Sequence, residues 1–250
     1  MKISVCLATY QGEKYIREQL DSILPQLGPD DEVVVSDDGS ADATLAIIEG
    51  YGDHRITVYR NATNVGYTKN FERALAKATG DVIFIADQDD VWLPSKVKTM
   101  LSALENADLA VSDVTIVDGE LNETHGSHFE RYGVHSGFAH NFARTRYIGS
   151  SMALRRPLLD FLLPFPPRSR FCAYDYWITI AAEAYFDVTL VRTPLMLYRR
   201  HHETASTGGD GSPFPLWHRL FVRAYGLSWL LRRAPRAVLW RVSEGQVARN

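Results

Sequence analysis

The stretch Val82-Ile83-Phe84-Ile85-Ala86-Asp87-Gln88-Asp89-Asp90-Val91-Trp92-Leu93-Pro94 decides how the chain reads. Val82 to Ala86 is too short for a helix and β-branched enough for a buried strand. Three carboxylates follow within four residues, and Trp92 and Pro94 turn the chain toward a new helix. A buried strand that ends in acids delivers charge to the carboxyl edge of a sheet, where open α/β sheets bind ligands. Carboxylates this close repel one another unless a cation sits among them. Mg²⁺, Mn²⁺ and Ca²⁺ prefer carboxylate oxygens, and the first two commonly bridge protein carboxylates to substrate phosphates. The alternative is a solvated acidic turn.

Upstream, Ile3 to Leu7, Glu32 to Val35 and Ile56 to Tyr59 read as strands. Helical patterns follow each of them: Tyr15 to Leu24 with Ile16, Leu20, Ile23 and Leu24 on one face, a second with Leu45, Ile47 and Ile48 inward, and Thr68 to Ala78 with Phe71 and Leu75 inward. Ser40 stands where it can cap the second helix. Strand-loop-helix recurrence is βαβ logic and predicts a parallel sheet. Neither GxGxxG nor GxxxxGK[ST] occurs, so the dinucleotide and P-loop fingerprints do not apply.

Downstream, Ser95 to Leu104 reads as helix, Leu109 to Thr115 as strand, and Tyr147 to Leu154 as a return to strand-like order. Residues 118–146 hold four histidines and four glycines with little periodicity, which predicts a long loop or flap. A short helix over Pro157 to Leu163 and one opening at Ala173-Tyr174-Asp175-Tyr176-Trp177 come next. Val188 to Val191 and Pro194 to Tyr198 read as two strand-like pieces ahead of Arg199-Arg200-His201.

Of 250 residues, 46% are hydrophobic and 23% charged, ordinary for a chain with a buried core, and the net charge of −3 gives no case for nucleic acid. The distribution is uneven: residues 214–250 carry seven arginines, no lysine and one acid, a formal charge of +6 against −9 for the first 213 residues. Cys6 and Cys172 make neither a metal spacing nor a disulfide framework. With no signal peptide and no apolar run of the ~18 to 20 residues a membrane span needs, the expected location is the cytoplasm.

Thr9-Tyr10, Val35-Ser36-Asp37-Asp38-Gly39-Ser40, Asp87-Gln88-Asp89, Asp175 and Tyr198-Arg199-Arg200-His201 resemble, in order and spacing, the family 2 glycosyltransferases of the GT-A fold. Asp-Gln-Asp-Asp-Val-Trp-Leu-Pro is similar to the rhamnosyltransferase-like bacterial members that build surface polysaccharides. The resemblance covers residues 1 to about 206. It implies a GT-A domain with a single Rossmann-like, mostly parallel sheet flanked by helices. Residues 1–117 would form the nucleotide-sugar half, 118–206 the acceptor half, and 207–250 a basic helical tail.

It further implies an inverting, metal-dependent transfer from a UDP- or dTDP-sugar to a hydroxyl of a saccharide or lipid-linked acceptor. On that basis Thr9, Tyr10, Asp37, Asp38, Lys69 and Asp87 would hold the nucleotide. Asp89, with Asp87 and His201, would hold Mn²⁺ or Mg²⁺; Arg199 and Arg200 would meet the diphosphate. Asp175 would be the general base, its alternative being a helix N-cap among core aromatics. Relatives often carry a second acid just before that aspartate, where this chain has Tyr174. Lys69 has a surface-helix alternative.

Two other readings are a sugar-1-phosphate nucleotidyltransferase and a non-catalytic nucleotide-sugar-binding domain. Ala8-Thr9-Tyr10-Gln11-Gly12-Glu13 lacks the Gly-rich basic loop of the first, and a binding-only site has no use for Asp175 as a base. In the tail, Leu216, Leu220, Leu227 and Leu231 recur at helical spacing beside Trp217, Phe221 and Trp229, with Pro235 expected to break the helix and Ala237 to Val242 to start another. Such a helix either lies peripherally on the inner face of an anionic membrane or packs on the acidic body or on a second subunit, as in a homodimer.

Overall fold

The computed structural model describes residues 1–200 and 215–247, with side chains as far as residue 237. Its centre is a sheet of nine strands: β1 (Ile3–Thr9), β2 (Glu32–Asp37), β3 (Ile56–Arg60), β4 (Val82–Asp87), β5 (Val91–Trp92), β6 (Leu109–Val117), β7 (Glu123–His125), β8 (Met152–Arg155) and β9 (Val188–Arg199). The order is β3-β2-β1-β4-β8-β6-β9-β5, with β7 paired to β6. The first four strands are parallel; β8 then enters antiparallel between β4 and β6, and β6 and β9 are again parallel. The chain steps from β1 outward to β2 and β3, then returns to place β4 on the other side of β1. That reversal opens the sheet between the carboxyl ends of β1 and β4, where α/β sheets take their ligands.

The strands read as continuous apolar runs because both faces are covered. On β4, Val82, Phe84 and Ala86 join one core with Ile16, Leu20 and Ile23 of α1 (Ile16–Ile23), while Ile83 and Ile85 join the other. The second core holds Phe71 and Leu75 of α3 (Tyr67–Lys77), which follows α2 (Thr44–Glu49). It also holds Leu158 and Leu159 of α7 (Arg156–Leu162) and Trp177 and Ile178 of α8 (Tyr174–Tyr185). Each such side chain contributes about 2 kcal/mol of burial. The α4 helix (Lys96–Ala103) covers the first core with Val97 and Met100.

Four expectations are corrected. Ser40 does not cap α2: its hydroxyl donates to Asp37 and accepts from Gln11 N, and the helix starts four residues later. Residues 118–146 are not one loop but carry β7, α5 (His128–Tyr132) and α6 (Phe138–Ala143). These pieces are too short for periodicity and are held by distant groups: Asp113 accepts from Ser127 Oγ and Phe129 N, and Glu183 accepts from Gly137 N and Asn141 Nδ2. The two strand-like pieces before Arg199 are one strand, β9, irregular where its pairing with β6 slips around Asp113. Finally, α9 (Leu216–Val247) runs through Pro235 unbroken, because Arg233 and Ala237 anchor it to the body on either side of an exposed proline.

Candidate active site

The β1 and β2 carboxyl ends are joined by side chains. Thr9 Oγ1 donates to Asp37 Oδ2 at 2.9 Å, and Asp37 also accepts from Gly39 N, Ser40 N and Ser40 Oγ. Asp38 is equally buried; it accepts from Asn61 Nδ2 at 3.0 Å and from Val65 N and Gly66 N at 2.9 Å each. Both aspartates therefore brace their loops: Asp37 its own turn, Asp38 the 61–66 connection. Tyr10 has 45% of its surface exposed and is the aromatic this edge offers to a stacking base. Lys69 is paired on the α3 surface with Glu72 Oε2 at 2.7 Å, which is the surface-helix alternative.

At the end of β4 the three acids separate. Asp87 and Asp89 remain partly exposed, while Asp90 is fully buried. Asp90 accepts from Ser150 Oγ at 2.7 Å and from Arg199 N at 3.1 Å. Lys96, also fully buried, donates to Ser150 O and lies over the Trp92 ring at 4.9 Å. Burial pushes Lys96 down to about 7, against the pull of Asp90. Burial, helped by repulsion from Asp87, pushes Asp89 up to about 8. The cations that the acidic run demanded are thus partly the chain's own.

Arg199 is one of them. Its guanidinium lies over the Tyr15 ring at 4.5 Å and donates to Asp89 O at 2.8 Å, to Gly119 O at 2.6 Å and to Glu18. Its side chain is committed to protein acceptors, so its place is a clasp on the Asp89 loop rather than the expected diphosphate contact. Arg200, with His125, Arg131 and Tyr132, lines a cavity of about 130 Å³ at the carboxyl ends of β6 and β9. His201 lies outside the described residues.

Asp175 sits in the first turn of α8, and Ala173, not Asp175, takes the N-cap position. Tyr176 N donates to Asp175 Oδ1 at 2.7 Å, and its burial raises the carboxyl above the ordinary range, the Tyr176 amide pulling it partly back. Tyr174 stacks on Phe71 at 4.1 Å and meets Tyr67 edge-on at 6.2 Å. Burial raises the Tyr174 phenol, and the charges of Asp87 and Asp175 add to it. Tyr174 therefore stands within the fields of both carboxylates. Tyr67 is 52% exposed beside it.

Sequence reasoning missed the part played by Gln88. Its carboxamide accepts from Tyr10 N at 2.8 Å and donates to Tyr10 O at 2.9 Å. The signal was its place between Asp87 and Asp89. Lys96 and Tyr67 were missed as well; the first looks like any helix-surface lysine in sequence.

Asp87 and Asp89 supply the hard oxygen donors that a divalent ion takes alongside substrate phosphates. A carboxyl held protonated by burial and a like-charged neighbour, as Asp89 is, is one that a cation would ionise. The pair fits such an ion, although among the described residues no third His, Cys, Asp or Glu completes a cage.

Comparison with known proteins places these features. The Glycosyl transferase family 2 model matches residues 4–163. An uncharacterized glycosyltransferase of Nostoc is 29% identical over 67% of this chain and 55% of its own length, so the chain spans about half of that relative. The dTDP-rhamnosyl transferase RfbG of Shigella flexneri is 28% identical over 78% of this chain and 71% of its own. Among solved structures, S. aureus TarS in complex with UDP-GlcNAc superposes with a TM-score of 0.69 at 24% identity, covering 90% of this chain and 66% of that one. A mannosyltransferase of Pyrobaculum calidifontis in complex with GDP-Man and Mn²⁺ does so at 0.59 and 20%, covering 96% and 75%. At these identities the two structures speak for a shared GT-A fold.

Proposed function

This chain belongs to glycosyl transferase family 2, and from that premise we propose that it is an inverting, metal-dependent transferase. It would move a sugar from a nucleoside-diphosphate donor to a hydroxyl of a saccharide or lipid-linked acceptor in surface polysaccharide synthesis. The observation that carries the reading is the placing of Asp87 at the carboxyl end of β4, at the switch point of the sheet, and of Asp175 in the first turn of α8, whose Tyr174 packs on Phe71 of α3 and feels the charge of both. One carboxylate belongs to the nucleotide side, the other to a helix on the far side of the site. A UDP- or dTDP-sugar is the expected donor, in keeping with the names of the Shigella relative and the TarS complex.

In this reading Tyr10 stacks on the base, with Thr9, Asp37 and Asp38 holding the loops around it. Asp87 faces the ribose, and Asp89 with Asp87 holds Mn²⁺ or Mg²⁺. The ion, when bound, offsets the charge that develops on the departing diphosphate. Arg200 supplies a guanidinium fork on the same side. Asp175 takes the proton of the acceptor hydroxyl as its oxygen bonds to the anomeric carbon and the bond to the diphosphate breaks on the opposite face. The upward shift of Asp175 suits a base, since it strengthens the carboxylate as a proton acceptor near neutral pH. The enzyme would work in the cytoplasm, at the inner membrane face where lipid-linked acceptors present their hydroxyls.

The test is a donor panel (UDP-, dTDP- and GDP-sugars) with Mn²⁺, with and without saccharide acceptors. Free nucleoside diphosphate that increases with acceptor supports the reading. Consumption of sugar 1-phosphate and nucleoside triphosphate, releasing pyrophosphate, would instead make it a nucleotidyltransferase. Donor binding without turnover under all conditions would make it a binding domain.

A further inference from the structure

Among the described residues the α9 helix has two apolar faces, one packed on the body and the other largely exposed. On the packed face Leu230 and Ala237 are buried, and Arg233 sends Nη1 to Phe161 O at 2.6 Å and Leu163 O at 2.9 Å, and Nη2 to Pro164 O at 2.6 Å. Gly226 lets the helix close on α8: a Cβ there would stand 3.0 Å from Ile180 Cδ1 and 3.2 Å from Tyr176 Cε1. Arg223 lies over the Tyr176 ring at 4.7 Å, one residue from Asp175. These contacts fix the roll of α9 about its own axis. They also fix its place relative to the candidate base.

The opposite face is largely uncovered among the described residues. Leu216 (66% exposed), Trp217 (69%), Leu220 (61%), Leu227 (43%) and Leu231 (64%) fall within an arc of about 100° at 3.6 residues per turn, with Phe221 at its margin packed edge-on against Phe171. Exposed Arg219, Arg232 and Arg236 flank it, and no acid occurs between residues 215 and 243. A stripe of this kind needs an occupant. A second copy offers little: away from α9, the other large apolar side chains exposed among the described residues are Met1, Tyr10, Tyr59 and Tyr67, scattered and partly in the candidate site. Pairing two α9 stripes would bring their arginine rows together. The helix does not have the length of apolar sequence to cross a bilayer. Leucine and tryptophan flanked by arginines, without acids, are what the interface of an anionic bilayer accepts, the rings and leucines entering the acyl boundary and the guanidinium groups meeting phosphates.

We propose that the exposed stripe of α9 seats the protein on an anionic lipid surface, with α8 and Asp175 carried on its back at a fixed orientation to that surface. This rests on the transferase reading only for what it would be used for, the delivery of lipid-linked acceptors to Asp175. The seating itself stands without it.

The test uses the full chain with phosphatidylcholine vesicles, with and without phosphatidylglycerol. Wild type should sediment with the anionic vesicles alone, be released by high salt, and show a blue shift of tryptophan emission on binding. Leu220→Glu/Leu227→Glu should weaken vesicle binding at least tenfold with an unchanged melting midpoint and unchanged donor turnover in solution. Leu220→Gln/Leu227→Gln, uncharged and as good a helix former as glutamate, should weaken it in the same direction. Wild type left in the supernatant with both vesicle types would overturn the proposal, as would variants that bind like wild type. A wild-type dimer that the variants turn into monomers, with no vesicle binding, would make the stripe an interface between copies. Vesicle binding with no nucleoside diphosphate released from any donor would leave the seating intact and remove the transferase reading.

Discussion

Gln88 grips the backbone of Tyr10 from both sides, accepting from its N–H at 2.8 Å and donating to its carbonyl at 2.9 Å. The grip ties the loop after β1 to the loop after β4, across the opening between the strands. It needs Gly12, because a Cβ at that position would sit 2.3 Å from Gln88 Oε1. One side chain thereby ties the exposed Tyr10 loop to the Asp87–Asp89 loop.

Gln88→Ala should therefore loosen the Tyr10 loop, costing about 1 kcal/mol of stability and weakening donor binding about tenfold. Gly12→Ala should do the same alone and add little to Gln88→Ala. Calorimetric donor affinities of the two single variants and the double variant check this; full additivity would show that the glycine serves something other than the amide.

Metal binding should depend on pH through Asp89. Its folded-state carboxyl is raised to about 8, so metal-free protein holds this proton across the window from the ordinary carboxylate range to about pH 8 and loses stability as pH rises through it. A divalent ion must displace the proton. Mn²⁺ affinity should then rise from pH 6 to 8, by at most about tenfold per unit, and level off above. Asp89→Asn should abolish the rise, cut transfer by about 10² or more, and melt higher than wild type at pH 8.5 without metal. Titration of Mn²⁺ at several pH values reads the affinities and metal-free melts at pH 8.5 read the stability; a flat affinity profile in wild type contradicts the assignment.

Lys96 is the buried amine behind Asp90. Its value is depressed to about 7, so above that pH the unfolded chain binds more protons and the lysine's burial penalty shrinks as pH rises toward the ordinary lysine value. Burial also holds the Asp90 carboxyl well above the ordinary range, so the two groups are not a fully ionised pair. Lys96→Met loses the contacts with Ser150 O and the Trp92 ring but relieves the burial penalty, most fully at pH 6. Lys96→Met should therefore destabilise more at pH 8.5 than at pH 6, by roughly 2 kcal/mol. Urea melts at the two pH values decide it; an equal loss at both would mean that Lys96 packs without a depressed titration.

What the sequence made legible follows the range of each interaction. The β4 run and its acids could be read because five adjacent apolar residues and a motif carry their own signal. The helix that opens near Asp175 could be read from its aromatic run, and the folded chain puts Ala173 at the N-cap with Asp175 in the first turn. The Lys96–Ser150 contact joins residues 54 apart and the Arg199–Glu18 pair residues 181 apart, so neither leaves a local trace. The short helices of 118–146 were hidden for the same reason: Asp113 and Glu183, which hold them, lie in β6 and α8. Pro235 misled because its local cost to a helix, about 3 kcal/mol, is offset by tertiary anchoring on either side.

The central claim is that Asp175 removes the acceptor proton while the donor is held elsewhere, by the Asp87–Asp89 edge and the loops around Tyr10. The most direct measurement compares wild type with Asp175→Asn, reading donor affinity by calorimetry and acceptor-dependent release of nucleoside diphosphate on the same preparations. The expected result is donor affinity within about twofold of wild type and transfer slower by about 10² to 10⁴. A variant that transfers at the wild-type rate, or that folds but no longer binds donor, would contradict the account.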